Sequence, residues 1–163
     1  YPMGNCWLVQ DVYMASSADE EIETIALIDP AKQVILAQKD ETVVKAGITS
    51  SAKYSGEGTI ALTHYAPNEL RYKFSSKEDQ LALFSEIYYP AGWRATIDGV
   101  QADILRADYA FRALAVPAGE HEIVFRFDLQ SFHTGATISR VTSAILWLAL
   151  LGVIGVAVVR RKK

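Results

Sequence analysis

The segment Trp93-Arg-Ala-Thr-Ile-Asp-Gly99 is the clearest indication of the fold class, because five residues of alternating polarity are followed at once by a turn signal. Its odd-numbered residues fall on one face of an extended chain and are apolar, while the even-numbered ones fall on the other. Asp98-Gly99 is typical of the tight turn that joins two antiparallel strands, since both positions need a positive φ. The stretch therefore predicts a strand with one buried face, followed by a hairpin.

The segments downstream repeat this pattern. Ala110–Val116 and His121–Phe127 are rich in residues that favour strands, and Pro117-Ala-Gly-Glu120 between them has the composition of a turn. We interpret them as a second hairpin. Ser131-Phe-His-Thr-Gly135 follows as a short hinge into the C-terminal segment.

The upstream half supplies more short apolar segments separated by turn residues. Strands are predicted at Trp7–Met14, Gln33–Ala37, Thr59–Tyr65, Glu69–Phe74 and Gln80–Tyr89. The last of these is apolar on both faces, so we expect it to be central. Many short strands at regular spacing indicate a mainly β fold, an antiparallel β-sandwich.

One short helix is expected near the N-terminus. Ser17-Ala-Asp-Glu20 has the spacing of a capping box, and the helix is predicted to run through Ile22, Ile25, Ala26 and Ile28. We interpret the nearby acids as a solvated helix start rather than a cation site; they are Asp19, Glu20, Glu21 and Glu23. Residues 38–57 are expected to be loop with some strand.

The C-terminal segment predicts a membrane span. Val141–Val159 is a run of nineteen residues without a charge, and as a helix it would be roughly 28 Å long. A bilayer core is about 30 Å thick. The run ends in four cations, Arg160, Arg161, Lys162 and Lys163, which favour the cytoplasmic side. A cytoplasmic, tail-anchored protein would have to carry these cations across the membrane.

These patterns predict two domains. Residues 1–134 form an extracytoplasmic β-sandwich-like domain, with a weaker α/β section at 1–57 and a β-rich section at 58–130. Residues 135–163 form the hinge, the transmembrane helix and a basic cytoplasmic tail. Because the chain opens at Tyr1-Pro2 without a signal peptide, we expect an upstream segment, either removed or part of a larger polytopic protein.

Charge and composition argue against several functions. Without the four terminal cations the chain carries 12 Lys and Arg against 19 Asp and Glu, which disfavours a nucleic-acid partner. The single cysteine, Cys6, precludes an intrachain disulfide, and we interpret it as a small core residue. His64, His121 and His133 lack a second His or Cys at ligand spacing, so no metal or other cofactor is expected.

The densest group of aromatic and polar residues is the candidate binding site. It comprises Tyr88, Tyr89, Trp93, Arg94, Asp98, Tyr109 and Arg112. Sugars stack their C–H faces on aromatic rings while acids and arginines hold their hydroxyls, so this composition suits a glycan or a lipid-linked sugar. In the alternative interpretation Trp93 and Tyr89 fill the sandwich core, and Arg94 and Asp98 are ordinary exposed strand and turn residues.

The sequence also resembles the C-terminal region of the YfhO family of bacterial membrane proteins. The segments that carry the resemblance are Gly4–Trp7, Pro67-Asn68, Ser85–Gly99, Ile104–Arg112, Val116–His121, Phe125–Phe127, Ser131-Phe132 and Gly135. Ala91 before Gly92 is similar to the form in Bacteroidetes-type members. Leu129 departs from the pattern, since a proline is common there.

The resemblance implies a polytopic protein related to the C-type membrane glycosyltransferases, which use lipid-linked sugars. It places this chain as the extracytoplasmic domain and last span of a protein in the bacterial cytoplasmic membrane. The implied partners are the lipid bilayer, upstream transmembrane helices of the same polypeptide, and a lipid-linked sugar or glycan acceptor. The acidic catalytic residues of that superfamily lie in an early external loop that is absent here, so no catalytic residue is assigned.

Two hypotheses follow. In the first, the chain is a non-catalytic accessory module for sugar transfer in cell-envelope glycan assembly, and its parent is a membrane glycosyltransferase. In the second, it is a free-standing, membrane-anchored β-sandwich that binds a glycan or a partner protein. The coding sequence upstream of Tyr1 distinguishes them: many hydrophobic segments favour the first hypothesis, and a signal peptide alone favours the second.

Overall fold

The computed structural model describes residues 3–49, 52–128, 138–147, 152 and 160. The chain divides into two compact units, Tyr1–Asp128 and Leu129–Lys163. In the first unit the described strands are β1 (Cys6–Val9), β2 (Asp11–Ala15), β3 (Gln33–Ala37), β4 (Thr59–Ala66), β5 (Glu69–Ser76), β6 (Gln80–Phe84), β7 (Trp93–Ile97), β8 (Val100–Ala102), β9 (Leu105–Ala107), β10 (Phe111–Val116) and β11 (Gly119–Phe127). Two short helices accompany them, α1 (Ala18–Ile25) and α2 (Glu41–Lys45).

The first unit is mainly β, as predicted, and its strands form two sheets. The six-stranded sheet has the order β1-β6-β10-β9-β3-β2, and the five-stranded sheet has the order β4-β5-β11-β7-β8. Pairing is antiparallel except between β2 and β3, which are parallel and joined through α1. Parallel strands need such a crossover connection, so this section departs from an all-antiparallel sandwich.

The main core lies between the two sheets. Tyr72 and Phe125 of the five-stranded sheet meet Phe84 of the six-stranded sheet edge to face, with ring centroids 4.9 Å from Phe84 in both cases. A second core covers the other face of the six-stranded sheet and includes Val43 of α2. β6 therefore has apolar cover on both sides, and all five of its residues are buried, in accord with its two apolar faces.

The hairpin predicted at Asp98-Gly99 is confirmed, and the one predicted at Pro117–Glu120 is wrong. β7 and β8 pair around Asp98 and Gly99, whose φ angles are 51° and 81°. β10 and β11, in contrast, belong to different sheets. Their short connection at Pro117-Ala118 passes from one sheet to the other, and turn composition alone does not distinguish such an arch from a hairpin.

Three other predicted elements have different bounds. The strand predicted at Trp7–Met14 is divided at Gln10, because the backbone N–H groups of Gln10 and Asp11 both donate to the Lys32 carbonyl. The strand predicted at Gln80–Tyr89 ends at Phe84, and residues 85–92 form a loop. Residues 38–57, predicted to be loop and strand, contain α2, which begins where the Asp40 carboxylate accepts from the Thr42 N–H at 2.9 Å.

Helix α1 begins as predicted but presents an unexpected face to the core. The Ser17 hydroxyl accepts from the Glu20 N–H, which is half of a capping box. The acids at the start of this helix were predicted to be solvated. For Glu21 the prediction is wrong, because its side chain is fully buried. The apolar Ile22 and Ile25 are instead 51% and 39% exposed. The reason lies in the partners of Glu21, which belong to the β9–β10 turn.

The second unit is described only in part. Residues 138–147 are helical, as are 152 and 160. Among the described residues, no helix is both long enough and apolar enough to cross a bilayer. The other residues of the predicted span, the hinge with His133, and the cations at 161–163 lie outside the described residues.

Candidate functional site

Several of the predicted site residues meet where the loop at 85–92 enters β7. The Tyr89 carbonyl accepts from the Trp93 N–H at 3.1 Å, and the Tyr88 N–H donates to the Ala110 carbonyl at 2.7 Å. These bonds fix the loop to both sheets, since Trp93 begins β7 and Ala110 precedes β10. The Tyr89 ring, 47% exposed, stacks on Phe127 with ring centroids 6.3 Å apart.

Arg112 is buried between the sheets behind this loop. Its side chain is 2% exposed, and its Nε donates to the Ile87 carbonyl at 2.8 Å. The guanidinium carbon lies 4.2 Å from the centre of the Trp93 ring and 5.3 Å from that of Phe125. Burial lowers the pKa of Arg112. Its Nη1 is buried without a hydrogen-bond partner among the described residues. The contacts with the two aromatic rings are therefore the main interactions that offset the cost of burying its charge.

A small cleft lies beside Trp93. We call it the Trp93 cleft; its polar and aromatic lining residues are Thr42, Tyr88, Trp93, Arg94, Gln101 and Asp103. Its volume is about 160 Å³. A cavity of about 150 Å³ holds benzene in a well-studied protein, so this cleft has room for about one six-membered ring.

The lining of the Trp93 cleft suits a neutral polar ring. Trp93 is partly exposed, and Arg94 and Gln101 border the cleft from the paired strands β7 and β8. Asp103 supplies carboxylate oxygens, one of which is paired with Lys45 Nζ at 2.5 Å. Pockets of this kind combine apolar surface with a few placed polar groups, which is how hydroxyl-rich rings are held.

Asp98 lies away from this cleft. It occupies the turn after β7, five residues beyond Trp93 along an extended strand, or about 17 Å. Its carboxylate contacts His121 Nδ1 at 2.6 Å and accepts from the Glu122 N–H at 2.8 Å. These two contacts, His121 first, lower the pKa of Asp98. Asp98 therefore fastens the β7–β8 turn to β11.

Tyr109 belongs to a separate buried network at the β9–β10 turn. Its backbone N–H donates to Glu21 Oε1 at 2.8 Å, and Glu21 Oε2 lies 2.9 Å from Arg106 Nη2. Arg106 also donates to the Tyr109 carbonyl at 2.9 Å, and its guanidinium lies 5.6 Å from the ring centre. The buried carboxylate of Glu21 thus joins α1 to the turn.

Asp108 in the same turn has an unusual charge environment. Its Oδ1 accepts from the Ile35 N–H at 2.8 Å, and its φ is 46°. Its pKa is raised to about 6, mainly because the carboxyl is buried. The hydrogen bond from Ile35 lowers the pKa and the nearby charge of Glu21 raises it, and both effects are smaller than that of burial. The contacts made by Asp108 and Glu21 connect elements of the six-stranded sheet, so we assign them a structural role.

A larger cavity is a poorer candidate for a sugar site. It has a volume of about 450 Å³ and is lined by small polar residues, Lys77 and the acids Glu57, Glu78 and Glu120. No aromatic ring lines it, so the stacking surface that a sugar needs is missing. Within the described part of the chain, no three His, Cys, Asp or Glu side chains gather closely enough to hold a metal ion.

The structure thus divides the seven predicted residues among three places. Tyr88, Trp93 and Arg94 line the cleft, with Arg112 behind it and Tyr89 on the adjoining loop, whereas Asp98 and Tyr109 belong to separate turns. Sequence reasoning missed Thr42, Gln101 and Asp103 as lining residues. The sequence did not predict α2, so it gave no reason to place Thr42 at the site. The predicted β7–β8 hairpin, in contrast, places Gln101 on the strand next to Trp93 and could have identified it.

A family model described as "Bacterial membrane protein YfhO" matches residues 34–139, which are 106 of the 163 residues. The match runs from β3 to beyond β11 and includes every residue named for the Trp93 cleft. Neither a curated protein nor a solved structure matches the chain.

Proposed function

Since the chain belongs to the YfhO family of bacterial membrane proteins, we propose that its β-rich unit is an accessory domain that binds a sugar. In this proposal the domain lies outside the bacterial cytoplasmic membrane. It presents one ring of a lipid-linked sugar or glycan acceptor during cell-envelope glycan assembly. It acts beside membrane-spanning helices of its own polypeptide and performs no chemistry itself.

The Trp93 cleft is the observation that carries the proposal. Its lining includes the partly exposed Trp93, the polar residues Arg94 and Gln101, and the carboxylate of Asp103, around a volume of about 160 Å³. Glycoside chemistry ordinarily needs two carboxyl groups that flank the reacting bond. Among the described residues that line the cleft, Asp103 is the one carboxylate, and Lys45 engages it. The cleft is therefore suited to binding rather than to catalysis.

The membrane attachment rests on the C-terminal sequence. We propose that residues 1–134 form the external domain and that residues 135–163 form the hinge, a span at Val141–Val159 and a cytoplasmic basic tail. The uncharged run and the four cations after it support this arrangement. The relation to C-type membrane glycosyltransferases and to a Bacteroidetes-type subgroup belongs to the same proposal.

Sugar binding is tested by the indole N–H signals of the full chain, labelled with ¹⁵N-tryptophan in a detergent without sugar groups. The chain has three tryptophans, and Trp7 is an internal reference because its Nε1 donates to the Pro30 carbonyl at 2.9 Å. Titration with glucose, N-acetylglucosamine and their 1-phosphates should shift the Trp93 signal saturably, with an affinity of about millimolar, as expected for one small ring.

Two variants sharpen this test. Arg94→Ala removes a donor in the cleft and should weaken binding by roughly tenfold, the value of one hydrogen bond to a charged group. Lys73→Ala removes an exposed cation from β5, outside the cleft, and should leave the titration unchanged. A Trp93 signal that stays fixed with every sugar, or that shifts equally in both variants, contradicts the proposal.

The external position is tested by thiol labelling in intact bacteria. Val100→Cys in a Cys6→Ser background offers a site whose parent side chain is 72% exposed. Cys6 itself is a poor nucleophile, because burial raises its pKa to about 11. We expect a membrane-impermeant maleimide to label Val100→Cys in intact cells. If the denatured protein reacts but intact cells label only after permeabilisation, the domain is cytoplasmic and the proposal fails.

A further inference from the structure

One end of the five-stranded sheet is the point at which the chain leaves the first unit. The Phe127 N–H donates to the Asn68 carbonyl, and the Asp128 N–H donates to the Gly92 carbonyl, both at 2.8 Å. Phe127 is also opposite Trp93 in the β7–β11 pairing. We call this the exit end. It comprises the β4–β5 turn, the loop at 85–92 and the last residues of β11.

Large apolar side chains are exposed at the exit end. Tyr65, Ile87 and Tyr89 are 67%, 63% and 47% exposed. Tyr65 is held by the β4–β5 pairing opposite Leu70, and the Ile87 main chain is held by Arg112. These backbone contacts fix the positions of Tyr65 and Ile87, so their side chains remain exposed at the surface. Two of the three are tyrosines, which combine an apolar ring with a polar tip.

Arginines lie on the outer face of the same end. Arg94 and Arg126 are directly opposite each other in the β7–β11 pairing, where like charges repel. Arg126 is neutralised by Glu69, whose Oε2 lies 2.8 Å from its Nη2. Arg94 is exposed, and it forms no ion pair shorter than 4 Å with any of the described residues. A phosphate at this position would pair with Arg94.

We propose that the exit end rests on the lipid headgroups of the membrane, a placement that depends on the membrane attachment proposed above. The tyrosines and Ile87 enter the interfacial layer, where amphipathic aromatic rings are enriched, and Arg94 meets headgroup phosphates. Twelve residues separate Asp128 from the start of the uncharged run at Val141, so this end is the nearest along the chain to the membrane.

The placement explains how the cleft reaches its ligand. Trp93 begins β7 and Asp103 directly follows β8, so the Trp93 cleft lies at the exit end as well. A sugar attached to a lipid remains close to the bilayer surface. With the exit end on the headgroups, the cleft receives such a sugar while the lipid stays in the membrane.

The proposal is tested with fluorophores on single cysteines in the full chain, in a Cys6→Ser background and reconstituted into lipid nanodiscs. Ile87→Cys reports on the exit end from the loop at 85–92, and Tyr65→Cys reports on it from the end of β4. Val100→Cys, at the opposite end of β7, is the matched control, since the native Val100 is also well exposed. The nanodiscs contain lipids with a nitroxide quencher at headgroup depth.

We expect quenching at positions 87 and 65 to exceed that at position 100 by severalfold. Equal quenching at all three positions, in chains that do enter nanodiscs, overturns this placement and leaves the membrane attachment intact. A fluorophore at position 87 that is shielded from water but unquenched by lipid indicates a protein partner and also overturns it. A chain that fails to enter nanodiscs refutes the attachment itself, and this placement with it.

Discussion

Replacing Asp108 by Asn is expected to raise the free energy of unfolding at neutral pH by about 2 kcal/mol. Burial raises the pKa of Asp108 from 3.8 to about 6, so the native state holds its proton more tightly than the unfolded chain does. One pKa unit corresponds to about 1.4 kcal/mol, which makes about 3 kcal/mol the full cost of the native carboxylate. Because the side chain is partly solvated, the substitution should remove about 2 kcal/mol of this cost rather than all of it.

The sign of this effect is fixed by the direction of the shift. Below pH 3.8 the carboxyl is protonated in both states and costs nothing. The cost develops as the pH rises from 3.8 to about 6 and is complete above that range. Asparagine keeps an oxygen that can accept from Ile35, and it tolerates the φ of 46°. The gain from Asp108→Asn should therefore be absent in acid and full at neutral pH.

Asp98→Asn is the matched control. Asp98 also has a positive φ, 51°, and also accepts from a backbone N–H, but contact with His121 lowers its pKa. The same substitution should therefore reduce stability at neutral pH. Urea unfolding of the full chain in detergent, followed by pulse proteolysis at acid and neutral pH, measures both variants. A loss of stability in Asp108→Asn that is equal at both pH values contradicts the expected charge effect.

Local sequence signals predicted the elements whose conformation depends on near neighbours. Asp98-Gly99 gave the β7–β8 turn because a positive φ at both positions is a local requirement. β6 was expected to be covered on both faces because its apolar residues leave no polar face. The predicted hairpin between β10 and β11 is wrong, because whether two consecutive strands pair or enter facing sheets depends on their other partners.

The candidate site was predicted in part for the same reason. Trp93 and Arg112 are 19 positions apart in sequence, yet the packing of the two sheets brings the guanidinium to 4.2 Å from the ring. Asp98 is close to Trp93 in sequence, but an extended strand carries it away. Glu21 was placed in solvent because nothing local distinguishes it from neighbouring acids. Its burial depends on Arg106, 85 positions later.

Arg112→Ala is expected to reduce the free energy of unfolding by about 3–4 kcal/mol. The side chain is almost fully buried, and its removal leaves a cavity between the sheets, which costs about 2–5 kcal/mol for large apolar side chains. The contact with the Trp93 ring adds up to about 2 kcal/mol when it is desolvated. The release of the buried cation's desolvation cost offsets part of both losses.

Arg112→Met separates packing from charge. Methionine refills most of the volume without a donor or a positive charge, so we expect it to recover about half of the loss seen with alanine. In both variants the Ile87 carbonyl loses its partner, a hydrogen bond of 2.8 Å. The loop at 85–92 should loosen as a result. Exchange of the Tyr88 amide hydrogen, which is bonded to the Ala110 carbonyl, should accelerate in both.

These measurements connect the buried arginine to the proposed site. If Arg112 positions the loop, the methionine variant, although it recovers about half of the stability lost in the alanine variant, should still show faster Tyr88 exchange and weaker shifts of the Trp93 signal with sugar. Urea unfolding gives the first quantity, and hydrogen exchange and titration give the other two. An alanine variant within about 1 kcal/mol of wild type would mean that the sheets close over the site. In that case Arg112 does not determine the geometry of the cleft.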